Sequence, residues 1–181
     1  MAEGTFVLAD GGPERCLACD LTAGRQPLPG GVIFEEAGWL IEHCIGPLGV
    51  GTLIVKPRRH VLRFVELTPA EYAAFGRMVW LATAALRELL APDQTYVCQW
   101  AHAGWTPGHI HFVVQPVRDA GQDTHARPGP FLQAELFASG EPPDDTEVEA
   151  FCDRAREVIG RLATDSPSPA PGRGGQGVRT G

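Results

Sequence analysis

Gly104-Trp105-Thr106-Pro107-Gly108-His109-Ile110-His111-Phe112-Val113-Val114-Gln115-Pro116 is the stretch on which the reading of this chain turns. Ile110, Phe112 and Val114 alternate with His109, His111, Val113 and Gln115. Successive side chains on a β-strand point to opposite faces, so the first set turns toward a core and the second away from it. Two imidazoles on the open face of a rigid strand, just after a Gly/Pro turn, can meet a ligand or a metal without costing the strand its packing. A His-x-His pair also occurs in purely structural strands, so the rest of the chain has to decide.

Working outward, residues 96–101 read as a second strand, joined to the first through the turn at 104–108. Further upstream, Val32-Ile33-Phe34-Glu35 and Trp39-Leu40-Ile41-Glu42 flank Glu36-Ala37-Gly38 as a hairpin, and Thr52-Leu53-Ile54-Val55 reads as a strand stopped by Pro57. Thr68-Pro69-Ala70-Glu71 is a capping box with proline at the first helical position. The helix it starts carries Tyr72, Phe75, Val79, Ala82, Leu86 and Leu89 at helical spacing as its buried face, up to a stop at Pro92. A second capping box, Thr146-Glu147-Val148-Glu149, opens a helix with Val148, Phe151, Cys152, Ala155, Ile159 and Leu162 on one side. The expected fold is α+β: an antiparallel sheet of about five strands with a long helix and a C-terminal helix.

The length of 181 residues suits one domain, assigned to residues 14–164. Residues 1–13 and 165–181 lack periodicity or large apolar side chains and are expected to be flexible tails. Residues 119–145 read as a loop-rich insertion whose middle, with Phe131, Leu132, Leu136 and Phe137, packs on the domain. A formal net charge of -7 argues against bulk nucleic acid as a partner. The one compact basic cluster, Lys56 to Arg59, reads as a solvated turn. No apolar run approaches the ~20 residues of a membrane span, and no signal peptide opens the chain, so a cytoplasmic protein is expected.

Cys16-Leu17-Ala18-Cys19 has the spacing by which two thiolates bind one zinc, and a structural zinc takes two further N/S ligands. His60, after Pro57-Arg58-Arg59, and one histidine of the 109–111 pair are the candidates. A redox dithiol is the alternative, but it calls for a helix start within a βαβ pattern, which the sequence around Cys16 lacks. Cys44, Cys98 and Cys152 lie in or beside apolar segments and read as buried, inert thiols.

The segment 104–116 resembles the signature strand of the histidine-triad superfamily of nucleotide hydrolases and nucleotidyltransferases. The order of parts is similar too: a C-x-x-C, a hairpin, a strand ending in a Pro-basic-basic-His turn, a long helix, then the triad strand, over roughly residues 14–118. The resemblance implies that His111 is the nucleophile that attacks the α-phosphorus of a nucleotide to give a nucleotidyl-histidine. It implies that His109 is the fourth ligand of a structural zinc beside Cys16, Cys19 and His60. Thr106, Trp105 and Gln115 become candidate contacts to a nucleotide or nucleotide conjugate, and a homodimer is implied. The sequence departs from the family twice: Val113 stands where the third histidine belongs, and Thr52 stands where a histidine often opens the third strand. The transferase branch has glutamine two positions after the nucleophile, again the place of Val113. Gln115, ~13 Å from His111 at the usual strand rise, is too far to share one phosphate with it and also reads as a strand-end residue. These departures keep a second function open, that of a zinc-stabilised nucleotide-binding or interaction module with little turnover.

Overall fold

In a computed structural model, residues 16–99, 108–117 and 129–166 are described. Both expected tails lie outside these ranges, apart from Asp165 and Ser166 at the start of the second. Five strands form one antiparallel sheet in the order β1-β2-β3-β5-β4, with β1 Val32–Glu36, β2 Trp39–His43, β3 Leu53–Pro57, β4 Gln94–Gln99 and β5 Phe112–Val117. The expected α+β sheet of about five strands is what the chain forms. The β1–β2 turn places Ala37 and Gly38 at φ 49° and 80°, the left-handed pair that matches the twist of a two-residue hairpin.

Two long helices cover one face. α2, Pro69–Leu90, starts at the expected box: Thr68 accepts from the Glu71 N–H, and the Glu71 carboxylate takes the Thr68 N–H in return. Its buried side is Met78, Leu81, Ala82, Ala85 and Leu86; of the expected stripe, Phe75, Val79 and Leu89 also pack on this core, and Tyr72 is exposed. The Trp39 indole N–H donates to the Glu71 carbonyl at 2.8 Å and ties the first turn to the sheet. The C-terminal helix, Asp145–Asp165, buries Val148, Phe151, Cys152, Ala155 and Ile159 as the periodicity requires. Its N-cap is Asp144, two residues ahead of the expected Thr146, because the Asp144 carboxylate accepts from the N–H groups of Thr146 and Glu147. These faces meet Ile33, Trp39, Ile41, Leu53, Val55, Ile110 and Val114 in one core. Truncating a fully buried member such as Phe151 to alanine would cost about 3–5 kcal/mol.

The opposite sheet face has its own, smaller cluster of Cys44, Leu48, Ile54 and Val113. Leu136 packs on it from a ten-residue helix, Pro130–Ser139, that lies inside the stretch read as loop-rich. In chain order this is α3, the C-terminal helix is α4, and a six-residue α1, Leu17–Thr22, opens the described chain. No helix among the described residues is long and apolar enough to cross a membrane.

The basic cluster Lys56 to Arg59 is not wholly a solvated turn. Arg58 and Arg59 are exposed and pair with Glu35 and Glu71, but Lys56 is wholly buried. It belongs to β3 rather than to the turn, and alternation sends its side chain to the face shared with Ile54 and Val113.

Candidate functional site

β5 begins at Phe112, so His109 and His111 sit in an extended approach to the strand instead of within its ladder. The ladder pairs Val55 with Phe112, and its continuation would set Pro57 against Ile110. Proline has no N–H to give, and the pairing stops. A backbone bond from the Ile110 N–H to the Val61 carbonyl, 2.8 Å, helps hold the segment in place, and Ile110 stays in the core.

That anchorage brings four side chains together. The ligand atoms of Cys16, Cys19, His60 and His109 all lie within 4.8 Å of one another. His109 Nδ1 is 3.5 Å from both the Cys16 and Cys19 sulfurs, and His60 Nδ1 is 3.4 Å from Cys19 Sγ. Metal bonds of about 2.3 Å to sulfur and about 2.0 Å to nitrogen, at the tetrahedral angle, separate the two donor atoms by about 3.5 Å. The donor set and its spacing therefore fit a single tetrahedral cation. The His60 and His109 rings stand 89° apart, which aims both Nδ1 atoms inward from different directions. His109 Nε2–H donates to the Pro57 carbonyl at 3.0 Å, fixing the tautomer that leaves Nδ1 free.

The electrostatics match. Burial lowers the His109 pKa to about 4, so its ring is neutral, the form that binds metals. Burial, reinforced by the hydrogen bond and charge of Cys16, pushes the Cys19 thiol up to about 11. Two thiols crowded in a buried site resist ionising together unless a cation compensates them. The cysteine pair does occupy a helix start, with Cys16 at the N-cap of α1, a helix the sequence reading omitted because it is only six residues long. No βαβ unit surrounds it among the described residues.

His111 remains outside the cluster. Its Nδ1–H donates to the backbone carbonyl of His109 at 2.9 Å, which leaves Nε2 with an unshared lone pair on a partly exposed ring. Two residues on, Val113 is 4% exposed and packed among Ile54, Cys44 and Leu48 beneath Leu136. Gln115 is buried as well, and its Oε1 accepts from Gln133 Nε2 of α3 at 2.9 Å. Thr52 is buried, donating its hydroxyl to the Leu48 carbonyl at 2.8 Å. Thr106 and Trp105 lie outside the described residues.

No protein-family model matches the chain. An uncharacterised HIT-like (histidine-triad-like) protein of Mycobacterium tuberculosis is 31% identical over 109 residues, spanning 58% of this chain and 72% of that protein. The chain belongs to the histidine-triad superfamily. A zinc-bound histidine triad family protein from Mycobacterium smegmatis shares the fold with a TM-score of 0.61 at 21% identity, over 86% of this chain and 100% of that one. A hypothetical histidine triad nucleotide-binding protein from Sulfolobus tokodaii does so with a TM-score of 0.63 at 15% identity, over 82% and 94%.

Two buried polar features of the sheet, one on each face, escaped the sequence reading. Lys56 Nζ pairs with Glu42 Oε1 at 2.7 Å with both side chains buried, a diagonal pair across β2 and β3 where Leu40 stands opposite Lys56 and Glu42 opposite Ile54. Opposite charges fall at diagonal positions once the third strand is extended past Val55 to Lys56, and that was the available signal. His43 is buried too: its Nδ1–H donates to the Cys44 carbonyl at 2.7 Å and its Nε2 accepts from the Gly51 N–H at 2.9 Å. Burial lowers its pKa, and the two bonds hold it as a neutral structural group.

Proposed function

We propose that this chain is a nucleotidyl hydrolase or transferase in which His111 Nε2 attacks the α-phosphorus of a nucleotide. The observation that carries the reading is the 2.9 Å bond from His111 Nδ1 to the His109 carbonyl. It commits a ring proton to Nδ1 and leaves Nε2 as the nitrogen that can act as nucleophile. In the step, an N–P bond forms at His111 and the bond from phosphorus to the leaving group breaks, with the electron pair going to that group. Water or another acceptor then attacks the nucleotidyl-histidine, and the imidazole departs. Val113 can give no proton to the leaving group, so the preferred substrates are nucleotide conjugates whose leaving group departs without general-acid help, a help ordinarily worth 10²–10⁴-fold.

Cys16, Cys19, His60 and His109 would hold one zinc, whose part is to brace the chain on either side of the nucleophile rather than to touch substrate. Neutral His109, two thiols and a second nitrogen from His60 make a closed site of the structural kind. The same reading carries a cytoplasmic homodimer acting on a nucleotide or nucleotide conjugate. Five free cysteines suit a reducing compartment, and β4 lies at the open edge of the sheet with Val97 exposed on it.

A second reading, a zinc-stabilised nucleotide-binding module with little turnover, is favoured by α3. Leu136 and Gln133 engage Val113 and Gln115 on the face that carries the family's third histidine. One experiment separates the two: incubation with adenosine and guanosine phosphoramidates, dinucleoside polyphosphates and nucleotide sugars, followed by intact mass. A nucleotidyl adduct on His111 identifies the enzyme; measurable nucleotide binding without adduct or turnover identifies the module.

A further inference from the structure

Lys56 is the least expected side chain in the molecule. It is 0% exposed, and its ammonium donates to the backbone carbonyl of Ala18 at 2.8 Å while pairing with Glu42 Oε1 at 2.7 Å. Glu42 is 2% exposed, and its second oxygen, Oε2, is buried without a hydrogen-bond partner. A buried ion pair with one carboxylate oxygen left bare is a poor source of stability, because desolvating both charges offsets most of their attraction. Replacing such a pair with apolar groups is often neutral or stabilising. The arrangement calls for a gain elsewhere.

Ala18 locates that gain. It lies between Cys16 and Cys19, in the first turn of a six-residue helix whose N-cap makes no side-chain hydrogen bond. A helix this short holds little structure by itself. Lys56 reaches it from the middle of the sheet, one residue before Pro57, whose carbonyl holds the His109 ring. The two cysteine ligands and one histidine ligand are thus set by adjacent residues of β3.

We infer that Lys56 is a positioning residue for the cysteine half of the metal site, holding the C-x-x-C turn in ligating geometry through the Ala18 carbonyl. The effect is geometric rather than coulombic. A divalent cation and two thiolates sum to no net charge, so the ammonium gains or loses little attraction when the metal enters. What it supplies is a turn already ordered for binding, and outer groups that orient metal ligands are commonly worth 10–100-fold in affinity. Glu42 meets the same Nζ through Oε1, a contact that a glutamine side-chain oxygen can also make.

The inference rests on the metal-site reading, and the test separates the two. Zinc and cobalt(II) affinities of the full chain are measured by chelator competition for wild type, Lys56→Met, Glu42→Gln and the double variant Lys56→Met/Glu42→Leu, with urea unfolding of each. Lys56→Met should bind zinc 10–100-fold more weakly. The double variant removes the buried pair and should regain stability, yet its zinc affinity should stay low and its cobalt thiolate bands should stay altered. Glu42→Gln, which keeps the link to Ala18, should bind zinc within about threefold of wild type, and this arm decides if the double variant does not fold. Wild-type affinity in Lys56→Met or in the double variant, or a tenfold or greater loss in Glu42→Gln, overturns the inference and leaves the metal site standing. A wild-type chain that takes up neither zinc nor cobalt overturns the metal reading and this inference with it.

Discussion

Gln133 of α3 donates its side-chain amide to Gln115 of β5 at 2.9 Å, and both residues are buried. The bond closes α3 over the sheet face two residues beyond Val113 and makes that valine part of an apolar seam with Ile54 and Leu136. Restoring the family's third histidine is therefore not a matter of one side chain. Val113→His would bury an imidazole without a partner, at a cost of roughly 1–3 kcal/mol. We expect urea unfolding to register that loss and turnover of any nucleotide substrate to stay at the wild-type level. A stable Val113→His variant with faster turnover would mean that α3 yields readily.

His111→Ala should abolish the nucleotidyl adduct and lower turnover by at least ~10³-fold, as loss of a covalent nucleophile does. Metal content and the unfolding midpoint should not change, since the His111 ring is outside the Cys/His cluster. His109→Ala should lose metal and activity together. Intact mass and metal analysis on the two variants distinguish these outcomes, and equal turnover by wild type and His111→Ala would rule the mechanism out.

Purified protein should carry about one zinc per chain, and Cys16→Ser should not retain it. At a free zinc level about a thousandfold above the dissociation constant, the bound ion adds about 4 kcal/mol to folding. For a chain of this size that is roughly 8–16 °C in melting temperature. Calorimetry before and after chelation measures it, and an unshifted transition would remove the structural role assigned to the metal.

Glu71 gives a pH dependence of known sign. Two hydrogen bonds from Arg59, with further bonds from Thr68, hold its carboxyl down to about 2. The unfolded chain, with its carboxyl near 4.5, takes up the proton first as pH falls, so the stabilisation is complete above about 4.5 and is lost on descent through about 2. Glu71→Gln should cost on the order of 1 kcal/mol at pH 7, since half-exposed Arg59 is screened by water. Denaturant curves for the two proteins should converge toward pH 2, and a gap that persists there would assign the effect to packing.

Light scattering at micromolar concentration should return about twice the chain mass of 19.4 kDa. A charged substitution at exposed Val97 on edge strand β4 should shift the mass toward the monomer if that edge is the contact. A monomeric wild type would discard the homodimer.

Much of the fold was legible because each element announced itself locally: the Thr68–Glu71 box, the left-handed Ala37–Gly38 turn, and the 3.6-residue repeat from Val148 to Ile159. The four clustered Cys and His residues were legible from spacing joined to the family resemblance. What stayed hidden depends on long-range contact. Nothing local to Lys56 distinguishes a lysine in a turn from one buried under a helix 38 residues away. Nor does the sequence near Val113 reveal that Leu136 will cover it. Periodicity along α2 likewise does not show that Tyr72 stays exposed while Met78, Leu81 and Ala85 are wholly buried.

His109 is attached at both ends. Its ring faces Cys16 and Cys19 and is tied to Pro57, while its carbonyl holds the proton of His111. The two attachments differ in kind: the ring contacts belong to histidine alone, whereas the carbonyl that orients His111 is main chain, and any residue at 109 supplies one. A replacement at 109 therefore reaches His111 only by letting the backbone move, once no ring ties that backbone to Pro57 and the two cysteines.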